Sequence, residues 1–198
     1  MIPGIPSPRA LPTRMPHYRD HFGRKCCRGL LRLCGWHLEG ELPDHARLVV
    51  IGAPHSSLWD GFWCLLMKIG LGAQARIMIK RELFRGPLAW VLRKLDSIPV
   101  ERHAAGGVVG QMVQRFASGE ALWLAIAPEG TRKPVDRWKT GFWRIAHEAG
   151  VPIFPVAMHY PGKCLVLGPV METSDDMEAD IARLRAFFAP YRGKHHGI

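Results

Sequence analysis

The sequence predicts a single α/β domain, in which a largely parallel mixed sheet is flanked by helices and preceded by a basic amphipathic helix. Two observations lead to this fold class. Short apolar segments typical of strands alternate with longer segments of helical periodicity, which is the pattern of parallel βα units. The chain has 198 residues, 47% of them hydrophobic and 22% charged, and this length and balance suit one domain with a buried core.

The N-terminal part of the chain divides at Pro16. Prolines recur through residues 1–16, which predicts a flexible leader, and no apolar stretch typical of a secretory signal follows. Residues 17–198 are predicted to form the domain. It begins with a helix whose less polar stripe either packs on the domain or lies in a lipid interface. That stripe comprises Phe22, Cys26, Leu30, Leu33, Cys34 and His37.

The remaining elements follow in order along the chain. The clearest is the last helix, in which one apolar stripe is preceded by acidic residues and followed by Pro190. Its stripe consists of Met177, Ile181, Leu184 and Phe188. Before it we predict strands at 47–52, 76–79, 97–100, 121–127, 151–157 and 163–167, and helices at 58–71, 83–94, 108–117 and 138–149.

The charge of the chain indicates an anionic partner. There are 27 Lys and Arg against 17 Asp and Glu, a net charge of +10 with histidine neutral. A phosphate-bearing substrate, a membrane surface or nucleic acid would each fit this excess. Because no zinc-finger spacing or aromatic RNA-binding signature is present, we predict no nucleic-acid partner. The longest apolar stretch, 61–73, contains Lys68 and is shorter than the roughly 20 residues that span a bilayer, so we predict a cytoplasmic protein.

The cysteines favour a reduced protein without a metal. Five cysteines include the adjacent pair Cys26 and Cys27, leave one unpaired in any disulfide scheme and form no C-x-x-C motif. The nearby histidines and cysteines match none of the common zinc spacings. That group is His17, His21, Cys26, Cys27, Cys34 and His37.

A histidine and an aspartate follow the first long predicted strand. His55 and Asp60 are five residues apart, and both can face one point if a helix begins between them. A carboxylate that orients an imidazole makes it a candidate general base for an alcohol. The alternative is structural: Ser57 as N-cap and Asp60 three residues later form a capping box, with His55 in the loop. The spacing leaves both interpretations open.

Two further polar turns follow predicted strands. Pro128-Glu129-Gly130-Thr131-Arg132 offers backbone N–H groups and a guanidinium that suit a phosphate, although an ordinary solvated turn has the same composition. Lys80 follows the strand at 76–79. Because the carboxyl ends of parallel strands lie on one rim of a sheet, we expect these turns to converge with His55.

These turns, taken with two further segments, resemble the ordered sequence blocks of the glycerolipid acyltransferase family, which includes 1-acylglycerol-3-phosphate and glycerol-3-phosphate acyltransferases. The likeness extends from about His55 to Val156. The matching residues are His55-x4-Asp60, Lys80-Arg81-Glu82-Leu83 with Pro87, Ile98-Pro99-Val100-Glu101-Arg102, Pro128-Glu129-Gly130-Thr131-Arg132 and Val151-Pro152-Ile153-Phe154-Pro155-Val156.

The resemblance implies acyl transfer from acyl-CoA or acyl carrier protein to a lysophospholipid hydroxyl, with 1-acylglycerol-3-phosphate the expected acceptor. It makes His55 the base and Asp60 its partner, and it assigns acceptor binding to Lys80, Glu129, Gly130, Thr131 and Arg132. It implies no metal and no cofactor beyond the acyl donor. The expected location is the inner membrane face. Glycerol-3-phosphate or an amino-acid lyso-lipid as acceptor, and a non-catalytic lipid- or nucleic-acid-binding protein, stay open as alternatives.

Overall fold

A computed structural model describes residues 11–18, 22–101 and 107–198. Over these residues the chain forms a seven-stranded sheet in the order β1-β7-β6-β2-β5-β3-β4. Every neighbouring pair is parallel except β6 and β7. The predicted fold class, a largely parallel mixed sheet flanked by helices, is therefore confirmed. The strands are β1 (His37–Glu39), β2 (Arg47–Ala53), β3 (Ala75–Lys80), β4 (Ile98–Val100), β5 (Leu122–Ile126), β6 (Ile153–His159) and β7 (Cys164–Leu167).

Helices cover both faces of this sheet. They are α1 (Phe22–Leu33), α2 (Leu58–Leu71), α3 (Gly86–Lys94), α4 (Gly107–Ala117), α5 (Gly141–Ala149) and α6 (Met177–Phe188), with a single 3₁₀ turn at Arg81–Leu83.

The core consists of two apolar clusters separated by the sheet. Along β2, Val49 and Ile51 belong to the cluster with α4, α5 and α6, whereas Leu48 belongs to the cluster with α1 and α2. Successive residues of a strand point to opposite faces. Both faces of β2 are therefore buried, which explains why its sequence is almost continuously apolar.

The predicted elements correspond to the observed ones, with some differences: α5, for example, begins at Gly141 and not at Trp138. The segment predicted as one helix at 83–94 begins with the 3₁₀ turn, and α3 starts only at Gly86. The strand β1 was not predicted. Of the predicted leader, residues 1–10 lie outside the described part, but Met15 is buried and the carbonyl of Pro16 accepts a hydrogen bond from the Gln74 N–H. Residues 11–16 therefore lie against the domain.

Helix α1 packs on the domain through Arg24, Arg28 and Leu31. The Arg24 side chain is fully buried and donates to the carbonyls of Tyr18 and Leu71. Arg28 donates to the Gly70 carbonyl at 3.1 Å. Both arginines thus reach the carboxyl end of α2, where cations stabilise the last carbonyls of a helix.

The predicted apolar stripe of α1 points outward instead. Phe22 is 80% exposed and Leu33 is 85% exposed. Cys34 and His37 lie beyond the end of the helix, so the stripe is shorter than predicted. Packing on the domain therefore does not account for Phe22 and Leu33. Within the described residues, no helix is both long and apolar enough to cross a membrane.

Candidate active site

The three predicted turns lie at one rim of the sheet. Strands β2, β5 and β3 are consecutive neighbours and run parallel, with Ile51 opposite Ile126 and Ile77 opposite Ala125. Their carboxyl ends therefore lie side by side, as predicted. In open α/β sheets this rim is where ligands bind.

The loop after β2 ends in the N-cap of α2. Ser57 has an extended backbone, and its hydroxyl oxygen accepts the Trp59 N–H at 3.2 Å. Asp60, in the first turn, returns a hydrogen bond to the Ser57 N–H at 2.7 Å. The capping box suggested by the sequence is present.

The same aspartate also faces His55. The Nδ1 atom of His55 lies 3.3 Å from Asp60 Oδ2, and the Asp60 side chain is only 3% exposed against 32% for His55. Among the described residues, no hydrogen bond reaches His55 Nε2. The imidazole is thus held by one nitrogen and leaves the other for a ligand.

The charge on Asp60 is stabilised by its neighbours. Its Oδ2 accepts the Ser56 N–H at 2.6 Å, and its Oδ1 accepts the Tyr160 hydroxyl at 2.7 Å. Burial alone would raise the pKa of this carboxyl, but the hydrogen bonds from His55, Tyr160, Ser57 and Ser56 outweigh it and lower the pKa. Asp60 is therefore ionised at neutral pH.

Glu129 joins the second turn to the first. Both of its carboxylate oxygens lie 3.0 Å from the His55 N–H, and the residue is 4% exposed. Burial raises the pKa of Glu129, while the hydrogen bond from the His55 N–H acts in the opposite direction. The side chain thus fixes the main chain of the histidine loop, a contact that the resemblance did not imply.

After Glu129, the second turn is exposed. Gly130 has φ +63°, and a Cβ atom there would lie 2.8 Å from Lys139 Cε, so the turn suits glycine. The Thr131 hydroxyl accepts the Lys133 N–H at 3.3 Å. The Arg132 side chain is exposed at the same rim. Lys80 ends β3, but its side chain lies outside what the structure describes.

One group of potential metal ligands occurs in the described part of the chain, away from this rim. Side-chain ligand atoms of His37, Glu39 and Cys164 lie within 4.8 Å of one another at the β1–β7 edge. Burial and the neighbouring Glu39 raise the pKa of the Cys164 thiol to about 12. Strands β7 and β6 separate β1 from β2 in the sheet.

The family model described as Acyltransferase matches residues 36–159, a span that contains the whole rim. The chain belongs to the acyltransferase family. The chain is 30% identical over 154 residues to the 1-acyl-sn-glycerol-3-phosphate acyltransferase of Pseudomonas aeruginosa, covering 68% of this chain and 58% of that protein. It is also 30% identical over 118 residues to the probable 1-acyl-sn-glycerol-3-phosphate acyltransferase 5 of Arabidopsis thaliana, covering 57% of this chain and 31% of that protein.

The fold of the chain resembles a solved structure as well. The 1-acyl-sn-glycerophosphate (LPA) acyltransferase PlsC from Thermotoga maritima superposes with a TM-score of 0.61 at 18% identity, covering 83% of this chain and 74% of the other. The shared α/β architecture extends beyond the residues matched by the family model.

Two parts of the site have no distinctive signal in the sequence. Tyr160 lies 100 positions from the aspartate that it contacts. The C-terminal segment contacts both turns through Ser56 and Arg132. A tyrosine just after a strand and a histidine pair near the end of the chain have many uses, so neither is a signal by itself.

Proposed function

We propose that this acyltransferase moves a fatty acyl chain from acyl-CoA or acyl carrier protein to the free hydroxyl of 1-acylglycerol-3-phosphate. The observation that carries the proposal is the 3.3 Å contact between His55 Nδ1 and the buried, ionised Asp60, with Nε2 left for the acceptor. The names of the two similar proteins support the choice of acceptor.

The proposed reaction is a direct transfer. The acceptor hydroxyl attacks the thioester carbonyl while His55 Nε2 takes its proton, and Asp60 holds Nδ1–H and stabilises the imidazolium that forms. Collapse of the tetrahedral intermediate breaks the C–S bond, and the thiolate leaves with the electron pair. The proton on His55 then passes to the thiolate or to water. General-base action of this kind contributes about 10²- to 10⁴-fold to the rate.

Binding of the acceptor phosphate is assigned to the exposed guanidinium of Arg132, with Lys80 as a second cation from the neighbouring strand. A planar guanidinium suits two oxygens of one phosphate group. The Gly130 turn supports this role, because its position beside Glu129 links Arg132 to the loop that carries His55.

We also propose that the protein docks on the inner membrane surface, where its lipid acceptor resides. Outward-facing apolar side chains on α1 are accompanied by others on the first turns of α2, directly after the His55 loop. Exposed Lys25 and Arg32 on α1 suit anionic headgroups. The apolar set is Phe22, Leu30 and Leu33 on α1 with Leu58, Trp59 and Phe62 on α2.

The proposed activity is tested with radiolabelled acyl-CoA and a panel of acceptors. We expect 1-acylglycerol-3-phosphate to be acylated in preference to glycerol-3-phosphate and an amino-acid lyso-lipid. His55→Ala should reduce kcat by about 10²- to 10⁴-fold. His45→Ala, at the other end of β2, is the matched control and should retain wild-type turnover.

Two results would contradict the proposal. One is full turnover by folded His55→Ala protein. The other is the absence of transfer to every acceptor in the panel from both acyl-CoA and acyl carrier protein, which would favour a lipid-binding protein without catalysis.

A further inference from the structure

The chain beyond α6 returns across the rim of the candidate site. The Tyr160 N–H donates to the Arg192 carbonyl at 2.9 Å, and the Arg192 N–H donates to His159 Nδ1 at 3.2 Å. Residues 192–198 therefore start from the carboxyl end of β6, beside β2. We call this segment the strap.

The strap fits closely against the His55 loop. The His195 N–H lies 3.3 Å from Ser56 Oγ, and Lys194 Nζ lies 5.2 Å from the centre of the Trp59 ring. A Cβ atom on Gly193 would be only 2.5 Å from Ser56 Oγ and 2.9 Å from the His196 carbonyl oxygen. This position therefore admits glycine alone without displacement of the strap or of Ser56.

The other end of the strap contacts the turn at residues 128–132, which we call the phosphate turn. His196 Nε2 lies 3.1 Å from the Arg132 carbonyl oxygen, and Nδ1 lies 2.7 Å from the Gly197 carbonyl oxygen. Carbonyl oxygens only accept hydrogen bonds, and a neutral imidazole has one N–H to donate. The ring satisfies both contacts only as an imidazolium.

The surroundings of His196 favour that charged form. Hydrogen bonds to the Gly197 and Arg132 carbonyls raise the pKa of His196 and outweigh the opposite effect of burial, and the negative charges of Glu129 and Asp60 add a smaller increase. Asp136 and Arg185 line the same cavity of about 440 Å³ as His196 and bring one charge of each sign.

We propose that the strap positions Arg132 for the acceptor, with protonated His196 as the positioning residue. The ring contacts the main chain of Arg132, and neither His55 nor Asp60 is among its hydrogen-bond partners in the described structure. Loss of the proton, or of the side chain, therefore loosens the phosphate turn and weakens acceptor binding while the His–Asp pair is unchanged. This inference rests on the proposed function, because it specifies how that acceptor is held.

The proposal has a directional pH dependence. The KM for 1-acylglycerol-3-phosphate should be low while His196 is protonated and should rise as the pH increases through its pKa in the folded protein. The acceptor's own phosphate gains negative charge on the same side, with a second pKa of about 6. That gain would strengthen binding to a cation, so a rising KM reports the protein and not the ligand.

The test compares His196→Gln with His195→Gln over pH ~5 to 8, where histidines titrate. His196→Gln should raise the acceptor KM by about 3- to 10-fold at the acid end, as for one lost hydrogen bond, with kcat unchanged and no rise in KM as the pH increases. His195 is exposed and contributes its main-chain N–H, which glutamine retains. His195→Gln should therefore follow the wild-type profile.

A double-mutant cycle identifies the group through which His196 acts. Arg132→Ala should raise the acceptor KM at every pH, and adding His196→Gln to it should produce no further increase, because the guanidinium that the strap positions is absent. Additive effects would overturn the proposal. So would an unchanged KM profile in His196→Gln, or a fall in kcat without a change in KM.

A measurement without turnover separates this inference from the proposed activity. By NMR, the main-chain amide signals of residues 131–133 should shift with the same midpoint as the His196 ring in wild-type protein, and His196→Gln should abolish that shift. If the amides titrate but no acceptor is acylated, the proposed function is wrong and the proposed role of the strap in positioning Arg132 is retained. If the amides do not titrate, the proposed role of the strap is wrong, whatever the activity.

A glycine variant covers the case in which His196→Gln does not fold. Gly193→Ala forces the strap away from Ser56 and should also raise the acceptor KM. At Gly197 the nearest atom to an added Cβ is 3.4 Å away, an ordinary contact, so Gly197→Ala is the matched control. Equal KM values for the two alanine variants would contradict the role of the strap.

Discussion

Asp60 serves the helix and the histidine at once. Its Oδ2 atom receives the N–H groups of Ser56 and Ser57 and faces His55, while Oδ1 receives the Tyr160 hydroxyl. Donors thus reach both oxygens of this carboxylate. The cap and the His–Asp pair, which the sequence offered as alternatives, are therefore compatible. The cap also fixes the carboxylate in the orientation that the imidazole needs.

At this scale, Tyr160→Phe tests how the charge on Asp60 is stabilised. Removing a hydrogen bond to a charged group should lower the free energy of unfolding by about 1.5–3 kcal/mol near neutral pH. Since the pKa of Asp60 is lowered in the folded protein, its contribution is present above its unfolded pKa and is lost as the pH falls through the folded pKa. The difference between variant and wild type should shrink in acid.

Urea unfolding near neutral pH and below pH ~4 measures that difference. Tyr191→Phe is the control, because the Tyr191 hydroxyl has no hydrogen-bond partner in the described structure and its ring packs on Phe187. A difference between Tyr160→Phe and wild type that is the same at both pH values would show that the hydroxyl does not act through the carboxylate charge.

Single residues were predictable from sequence only where their partners are local. His55 and Asp60 lie within one loop and one helical turn, so capping rules and spacing bring them together. Glu129 contacts a main-chain N–H 74 positions away, and His196 contacts a carbonyl 64 positions away. Such contacts depend on the order of strands in the sheet, which periodicity does not encode.

Among the elements, periodicity predicted most of the helices and six of the seven strands, and it missed β1. Helix α2 has the predicted bounds because Ser57 begins it and Gly72, at φ +72°, ends it. The three-residue strand β1 is too short to show alternation and is defined by its pairing with β7. Gly35, at φ +79°, was the available sign that α1 stops before His37.

The turn after β5 depends on a glycine with positive φ. Gly130→Ala should cost about 1–3 kcal/mol of folding free energy because of its positive φ, and the displaced turn should raise the acceptor KM. Gly119→Ala is matched to it. Gly119 has φ +80° and open space around a Cβ, and it precedes β5 at the opposite end of the strand.

Both glycine variants should therefore unfold at lower urea concentrations, but only Gly130→Ala should change the KM. The comparison requires urea titrations and acceptor kinetics on the same preparations. An unaltered KM in Gly130→Ala would show that the shape of this turn is unimportant for acceptor binding.

For the whole molecule, the outward apolar surface of α1 and α2 predicts binding to anionic vesicles. Replacing Phe22 and Leu33 together by serine should weaken flotation with phosphatidylglycerol liposomes by at least about 10-fold, since each inserted side chain contributes on the order of 1.5 kcal/mol. Deleting α1 would be a poorer test, because Arg24 and Leu31 are buried against the domain.

The control for flotation is Ala182→Ser, an exposed position on α6 across the sheet. It should bind vesicles as the wild type does. Unchanged flotation of the Phe22 and Leu33 double variant, with its fold intact by circular dichroism, would assign membrane binding to another surface.

The fold class of the whole molecule was predictable from the sequence because alternating apolar segments restrict a chain to few architectures. The inward orientation of Arg24 and Arg28 on α1 was not predictable from the sequence, because a helix with a basic side normally exposes that side to solvent. Here the last carbonyls of α2, which have no partner within their own helix, accept hydrogen bonds from Arg24 and Arg28.

The wide separation along the chain of the groups that meet at the rim also determines when the protein can first become active. Glu129, which accepts the His55 N–H, is synthesised 74 residues after His55. Tyr160, which donates to Asp60, is synthesised 100 residues after Asp60. At about 5–20 residues per second, a nascent chain waits several seconds for them. Ribosome-bound intermediates should therefore be silent, and turnover should begin only after most of the polypeptide has emerged.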